Sequence, residues 1–365
     1  MKEIAGACRG ELISGHADPV IAGISTDTRT LNKGEIFLAL KGENFDGHDF
    51  VQKALGKEAA GLILARESAH GIDIKNAQVP VLLVDDTLKA LGDIASFYRR
   101  KFTIPAAGIT GSNGKTTTKE MASHLLSARF KVRKNKGTEN NLIGVPLTLL
   151  KLNPEDEAMV LELGTNHFGE IRRLSEILGP QIGVITNVGP SHLEYFGDLD
   201  GVLKAKLELL DGMEKGGTLI LNLDDKRLAA LSPAKFKKVT FGFDPGYAFF
   251  AKGIKLSGES TEFLLQGKIP VRLNLPGRHN IENALAAFAV GASLGLSEIE
   301  MAGSISGFTG ISQRLKKYSA GGIDILDDTY NANPASVSAA LGVLSSYTSA
   351  GRKILILGDM LELGQ

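Results

Sequence analysis

Tryptophan is absent from the sequence and cysteine occurs once, as Cys8. A lone cysteine closes no intrachain disulfide, so the fold rests on ordinary cores, and the setting it suits is a reducing one. An excess of one charge is also missing, since 41 lysines and arginines stand against 41 aspartates and glutamates. Without a net field the chain has no general attraction for nucleic acid, an anionic membrane or an acidic protein, and any anionic ligand has to be gripped locally. No stretch approaches the roughly 18 apolar residues that a bilayer crossing needs, and no basic segment followed by an apolar run opens the chain as a secretion signal would. The expectation is a soluble, cytoplasmic protein with no nucleic-acid partner and no membrane insertion.

Glycine, by contrast, is plentiful at 43 of 365 residues, which suits many tight turns between strands and helices. The length allows roughly two to three domains at about 150 residues each. Hydrophobic residues at 43% and charged residues at 22% leave enough apolar side chain for each to bury a core.

The first part of the chain reads as a small α/β unit, residues 1–84, with short apolar strands at 20–24, 35–40, 61–65 and 80–84 and a helix at 49–55. Leu88, Leu91, Ile94, Ala95 and Tyr98 then lay one apolar stripe along a helix at 88–100, which reads as a bridge into the next domain. From residue 104 strands and helices alternate: strands at 106–110, 157–163, 182–186 and 218–222, helices at 116–128 and 280–294, and an antiparallel piece within 247–275. Such alternation predicts a central α/β domain, residues 85–312, built on a mostly parallel sheet. Residues 313–365 open a third unit: a strand at 322–326, Asn333 as N-cap with Pro334 at the first helical position, a helix at 335–347 and a strand at 353–357. One βαβ crossover is too little to close a core of its own, so this third domain is expected to be incomplete.

The sharpest local signal is Gly108-Ile-Thr-Gly-Ser-Asn-Gly-Lys115-Thr116-Thr117, between a predicted strand and a predicted helix. Glycines let successive N–H groups turn toward phosphate oxygens, and the following helix brings its positive end to the same point. Lys115 can reach the outer phosphates of ATP and Thr116 can offer its hydroxyl to Mg2+. The spacing departs from the standard phosphate loop, because Ile109 stands where a glycine is usual.

That variant loop, from Thr110 to Thr117, resembles the one in the Mur ligase family. Further segments fall in the family's order: Ser25-Thr-Asp-Thr-Arg29, residues 37–50, Thr138-Glu-Asn-Asn141, Glu162-Leu-Gly-Thr165, Asn187-Val-Gly-Pro-Ser-His192, Gly277-Arg-His-Asn280 and Asp327-Asp-Thr-Tyr-Asn-Ala-Asn-Pro334. Residues 161–171, 327–334 and 357–364 look like the branch that adds D-alanyl-D-alanine rather than L-alanine, D-glutamate or a diamino acid. The resemblance implies three domains: a small N-terminal α/β domain for a UDP-sugar peptide, a central phosphate-loop ATPase, and a Rossmann-like C-terminal domain of which the opening part is present. It implies UDP-N-acetylmuramoyl-tripeptide and D-alanyl-D-alanine as partners, ATP and two Mg2+ ions as cofactors, and a monomer.

The same resemblance assigns roles. Gly111, Ser112, Asn113, Gly114, Lys115, Thr116 and Thr117 would hold the nucleotide phosphates, and Thr116 and Glu162 the first Mg2+. His192 and a carbamylated Lys206 would support the second, which would make Lys115, Glu162, His192 and Lys206 the catalytic set. His279 and Asn280 would meet the adenine, while Arg314 and Asp328 would close on the nucleotide from the third domain. Ser25, Thr26, Asp27, Arg29, Lys41 and Asn44 are candidates for the uridine nucleotide. Thr138, Asn140, Asn141, Tyr330, Asn331 and Asn333 are the remaining substrate candidates. Taken singly, each has an ordinary reading: a strand-end carboxylate for Glu162, a loop histidine for His192, a solvated helix lysine for Lys206, a helix cap for Asn280. Two alternatives stay open at this point, namely a sister ligase adding a diamino acid, and a nucleotide-binding protein with little complete ligation because the third domain is short.

Overall fold

In the computed structural model, residues 1–14, 19–70, 72, 74, 77–137, 139–348 and 351–360 are described. They form two compact units, Met1–Thr103 with Thr138–Pro154, and Ile104–Gly137 with Glu155–Gln365.

The first unit is a five-stranded sheet in the order β1 (Glu11–Ser14), β5 (Val81–Val84), β4 (Gly61–Ala65), β3 (Glu35–Leu38), β2 (Gly23–Ser25), with β1 antiparallel and the other pairs parallel. The period-2 alternation of strands explains its two cores. Phe37, Leu62, Leu64, Val81 and Leu83 face one side with Val51 and Ala54. Ile36, Leu38, Ile63, Leu82 and Val84 face the other with Cys8, Leu91 and Ile94. The helix Thr87–Arg99, capped by the Asp86 carboxylate accepting the Lys89 amide at 2.9 Å, therefore buries its stripe in this unit rather than bridging onward. Compactness thus changes after Thr103, not at the expected 84/85 boundary, and the Thr138–Pro154 segment joins the same unit, where Leu152 accepts the Tyr98 hydroxyl at 2.9 Å.

The second unit is built on a nine-stranded sheet in the order β14 (Ile269–Leu273), β13 (Thr261–Leu265), β12 (Phe249–Leu256), β11 (Lys237–Gly242), β10 (Thr218–Asn222), β9 (Ile182–Ile185), β6 (Ala106–Thr110), β8 (Ala158–Glu162), β7 (Val132–Lys134). Pairs from β7 to β12 are parallel and β12–β13–β14 are antiparallel, as the alternation in the sequence predicts. The central strands are buried on both faces. Helix Lys115–Leu126 and the alanine-rich helix Arg278–Ser293 pack together over one face, with Met121, Leu125, Ile281, Leu285 and Phe288 in a common core. Alanines let the two backbones approach closely where bulkier residues would hold them apart.

The βαβ crossover expected near the C-terminus is not formed. Instead β15 (Lys316–Ala320) and β16 (Ile323–Asp327) make an antiparallel hairpin through Gly321 and Gly322, at φ 58° and 77°. Two consecutive positive φ values are what a two-residue hairpin turn needs, and glycine supplies them without strain. Helix Pro334–Ser346 follows with Asn333 and Ser336 in a reciprocal capping arrangement, as the sequence predicts. Residues 353–357, expected as a strand, take no regular structure and pair with no other strand among the described residues, with Ile354 71% and Ile356 90% exposed. Apolar composition alone does not make a strand; paired backbone does.

Phe288 is fully buried in the larger core. Phe288→Ala should lower the second unit's unfolding midpoint in urea by the equivalent of about 3–5 kcal/mol, whereas Val20→Ala, at a position 94% exposed, should change stability by less than about 0.5 kcal/mol.

Candidate active site

Strand order reverses around β6: β8 and β7 lie on one side, β9 and β10 on the other. Loops leaving the carboxyl ends of β6, β8 and β9 therefore diverge and leave a crevice, the usual ligand position in such sheets. The loop after β6 turns at Gly111, φ 142°, where a Cβ would stand 2.0 Å from Thr186 Oγ1, and at Gly114, φ 80°, where it would stand 2.2 Å from Asn283 Oδ1. Only glycine fits either place. The segment after β9 clamps this turn. Ser112 N donates to Asn187 O at 3.0 Å, Asn113 N to Asn187 Oδ1 at 2.8 Å, and Thr186 Oγ1 to Asn113 O at 2.6 Å. Ser112 Oγ donates to Gly189 O at 2.8 Å and lies 3.0 Å from Ser191 Oγ.

Lys115 opens the following helix and its Nζ donates back to the carbonyls of Gly111 and Ser112, at 2.8 and 3.0 Å. Burial pushes this amine below its ordinary value, with the Glu162 charge acting the other way. Thr116 Oγ1 donates to Glu162 Oε2 at 2.8 Å, and Arg314 Nη2 reaches Thr116 Oγ1 at 3.5 Å while its guanidinium lies 4.0 Å over the Tyr330 ring. Asn333 Nδ2 donates to Asn113 Oδ1 at 2.7 Å, and Asp328 Oδ1 accepts the Leu315 amide at 3.2 Å. Asn331 is exposed and accepts the Ala332 amide at 2.9 Å.

Beside the loop is a cleft of roughly 290 Å3, lined among others by Gly114, Thr117, His279, Asn280, Arg314 and Asp328. With Asn113, which also lines it, the structure gathers seven of the predicted nucleotide residues around one space. Burial holds the His279 imidazole down at about 4, so it is neutral. Burial first, then the neighbouring Asp224 charge, raises the Glu282 carboxyl to about 7. Asn280 donates to Pro276 O at 2.8 Å and accepts from Asn283 at 3.2 Å.

His192, at φ 51°, heads the short helix Leu193–Phe196, and its ring meets Phe196 edge-on at 6.3 Å. Lys206, 1% exposed on helix Leu199–Leu207, places Nζ 5.8 Å from the same ring. Burial, and then the Lys115 charge, pulls the Lys206 amine to about 7, against Glu208 and Glu170. Two of the four expected metal ligands, Thr116 and Glu162, are in contact; His192 and Lys206 converge on Phe196. A hydroxyl and a carboxylate beside a phosphate site are a donor set that Mg2+ completes with water and phosphate oxygens. Among the described residues no group of three or more His, Cys, Asp or Glu is placed to hold a metal by itself.

The remaining candidates belong to the first unit or outside the description. Ser25 ends β2 and leads through Thr26 into a turn in which the Arg29 guanidinium holds the Asp27 carboxyl down at about 2, and the backbones of Lys41 and Asp46 pair across the exposed loop carrying Asn44. Asn141 Oδ1 accepts the Ile143 and Gly144 amides at 3.1 and 2.9 Å, and Asn140 is half-buried. Thr138 lies outside the described residues. Role-by-role reading of the sequence passed over Asn187 and Asn283, although Asn187 lies inside a quoted motif and Asn283 sits three residues, about one helical turn, beyond Asn280.

A glycine-turned loop at a sheet switch point, with lysine, threonine and a facing carboxylate, defines a mononucleotide-binding α/β enzyme of the phosphate-loop class. Residues 109–291 match the Mur ligase middle domain, 20–99 the Mur ligase family catalytic domain and 313–365 the Mur ligase glutamate ligase domain. The UDP-N-acetylmuramoyl-tripeptide--D-alanyl-D-alanine ligase of Bacillus subtilis is 38% identical over 369 residues, all of this chain and 79% of that one. MurF from Acinetobacter baumannii superposes with a TM-score of 0.91 at 36% identity, over all of this chain and 79% of that one. The MurF ligase of Thermotoga maritima, solved in complex with ADP, superposes with a TM-score of 0.85 at 28% identity, over 96% of this chain and 80% of that one. The chain belongs to the Mur ligase family.

Two consequences are measurable. Gly111→Ala forces a methyl onto Thr186 at a backbone angle that alanine avoids, and should weaken ATP binding at least tenfold by calorimetry. Glu282, raised to about 7 from an ordinary 4.5, keeps its proton on folding, so its contribution to stability is full below pH 4.5 and is lost as pH rises through 7. Glu282→Gln abolishes that loss. The stability difference between variant and parent should grow from pH 5 to 7 by on the order of 2–3 kcal/mol and then level off in denaturant titrations.

Proposed function

We propose that the chain is an ATP-dependent, ADP-forming ligase that joins D-alanyl-D-alanine to UDP-N-acetylmuramoyl-tripeptide during peptidoglycan precursor synthesis, as a cytoplasmic monomer. The observation that carries this reading is the convergence of Lys115, Thr116, Glu162 and Arg314 at one phosphate loop, in a chain that aligns over its full length with ligases of that name. The first unit, Met1–Thr103 with Thr138–Pro154, takes the UDP-sugar peptide, the second takes the ATP on its nine-stranded sheet, and residues 313–365 contribute to the dipeptide side.

A carboxylate is a poor electrophile, and its oxygen is a poor leaving group. Phosphorylation of the tripeptide's terminal carboxylate by ATP gives an acyl phosphate, which the amine of D-alanyl-D-alanine attacks with loss of phosphate. The first step brings two anions together, so fixed positive charge and oriented N–H groups have to offset the repulsion. Loop amides 111–117 and Lys115 grip the β- and γ-phosphates, and Arg314, stacked on Tyr330, approaches from the other side. Thr116 and Glu162 would hold Mg2+, which when bound neutralises phosphate charge. A second ion would rest on His192 and on Lys206 as its carbamate. Carbamate formation needs a neutral amine, and an amine near 7 is about half neutral at pH 7, where an ordinary lysine is almost wholly charged. His279, Asn280 and Asn283 offer a neutral polar lining that suits adenine. Ser25, Thr26, Asp27, Arg29, Lys41 and Asn44 contact the uridine nucleotide, and Asn140, Asn141, Tyr330, Asn331 and Asn333 the peptide components.

The test is phosphate release from ATP with UDP-N-acetylmuramoyl-tripeptide and D-alanyl-D-alanine, against UDP-N-acetylmuramoyl-dipeptide and meso-diaminopimelate, for the parent and Lys115→Ala. Release should require D-alanyl-D-alanine and fall at least about 10^3-fold in the variant, with the fold retained by circular dichroism, because alanine keeps the first turn of the helix that Lys115 opens. Release driven by diaminopimelate would assign the chain to a sister ligase. ATP uptake without release would leave it a nucleotide-binding protein.

A further inference from the structure

Glu162 stands at the last position of β8, on the side of the sheet where the edge strand runs out. β7 pairs with β8 only through Val132–Ala158, Arg133–Met159 and Lys134–Val160. On the other side of β8, the Leu163 amide donates to Ile109 O of β6 at 2.8 Å. Backbone groups alternate in direction along a strand, so the N–H and C=O of Glu162 point the opposite way, toward the space past the end of β7. Asn135, the first residue beyond that strand, fills it with its side chain. Oδ1 accepts the Glu162 amide at 2.9 Å and Nδ2 donates to the Glu162 carbonyl at 3.1 Å. One primary amide thus reproduces both halves of a peptide-group pairing.

Asn135 is in turn held from below. Lys119, four residues after Lys115 on the same helix, is fully buried, and its Nζ donates to Asn135 O at 2.6 Å and pairs with Glu120 at 3.0 Å. Burying an ammonium group is costly unless its bonds are well made. A helix lysine ordinarily extends to solvent; this one is directed inward, onto the backbone of the residue that fixes Glu162.

We propose that Asn135 and Lys119 are positioning residues for the metal-binding carboxylate: Lys119 fixes Asn135, and Asn135 fixes the backbone of Glu162 so that its carboxylate stays beside Thr116. The proposal rests on the reading that Glu162 serves the metal bound with ATP. Only an amide serves at 135. Aspartate accepts from the Glu162 amide but has no donor for the carbonyl, and alanine leaves both buried groups without their partner.

The experiment is the binding of Mn2+ in the presence of ATP, followed by electron paramagnetic resonance, alongside ADP binding in EDTA, for the parent, Asn135→Ala, Asn135→Asp and Lys119→Met. Both Asn135 variants should weaken Mn2+ binding at least tenfold and Lys119→Met at least threefold, while ADP affinity in EDTA stays within twofold. A general loosening of the fold would lower both affinities together and would overturn the proposal. So would a folded Asn135 variant with parental Mn2+ affinity. Should neither Asn135 variant fold, Lys119→Met, which retains the asparagine, decides by the same threefold criterion. A parent that binds no Mn2+ with ATP removes the underlying reading of Glu162, an outcome distinct from a parent that binds and variants that do not differ.

Discussion

The site depends on a clamp between two neighbouring strand ends. The backbone after β6 has to reverse within a few residues, and at Gly111 it does so at an angle and a distance from Thr186 that only glycine tolerates. What holds the reversed turn is the segment after β9: Thr186 and Asn187 bind the loop through backbone and side-chain atoms alike. These bonds fix the turn before any ligand arrives. Groups already aimed at where charge will gather need no reorganisation during reaction, and this is the largest contribution a rigid site makes. The adjacent parallel pairing of β6 and β9 is thus a condition of the chemistry as well as of the core.

Charge along the site is graded. At the phosphate end Lys115 and Arg314 gather beside Glu162, with Asp328 also acting on Arg314, so charged groups are concentrated there in a chain whose net charge is zero. At the other end His279 is kept neutral by burial and the cleft is lined by amides. A polyphosphate with an uncharged base matches that gradient, and the balanced composition requires it, because no long-range field is available to collect an anion.

Much of this was legible in the sequence because it is local. Glycine spacing, the lysine and threonine after it, Asn333 before Pro334, and strands such as β4 and β10 follow from neighbours a few residues apart. Asn135 and Lys119 were illegible for the opposite reason: their roles arise from where an edge strand stops and which way a helix faces, facts set by tertiary packing. Residues 353–357 show the converse error. Their apolar run suits a strand, yet a strand exists only where another backbone answers it. The hairpin was missed although Gly321-Gly322 stands between its strands, because β15, Lys-Lys-Tyr-Ser-Ala, lacks the apolar alternation that marks a half-buried strand.

The helix Thr87–Arg99 shows why motif order and compactness divide a chain differently. Its apolar stripe is a property of the sequence, but which sheet receives the stripe is not. Ile36, Ile63 and Leu82 of the first sheet form the face it completes. The second sheet covers its comparable face with the helices Lys115–Leu126 and Arg278–Ser293, whose small residues let them lie close together. That pairing brings Asn283 against Gly114 and Thr118. Had the earlier helix taken that face instead, the phosphate loop would have lost the neighbour that fixes its second glycine. Partition of helices between the sheets is therefore part of how the glycine loop after β6 acquires its shape.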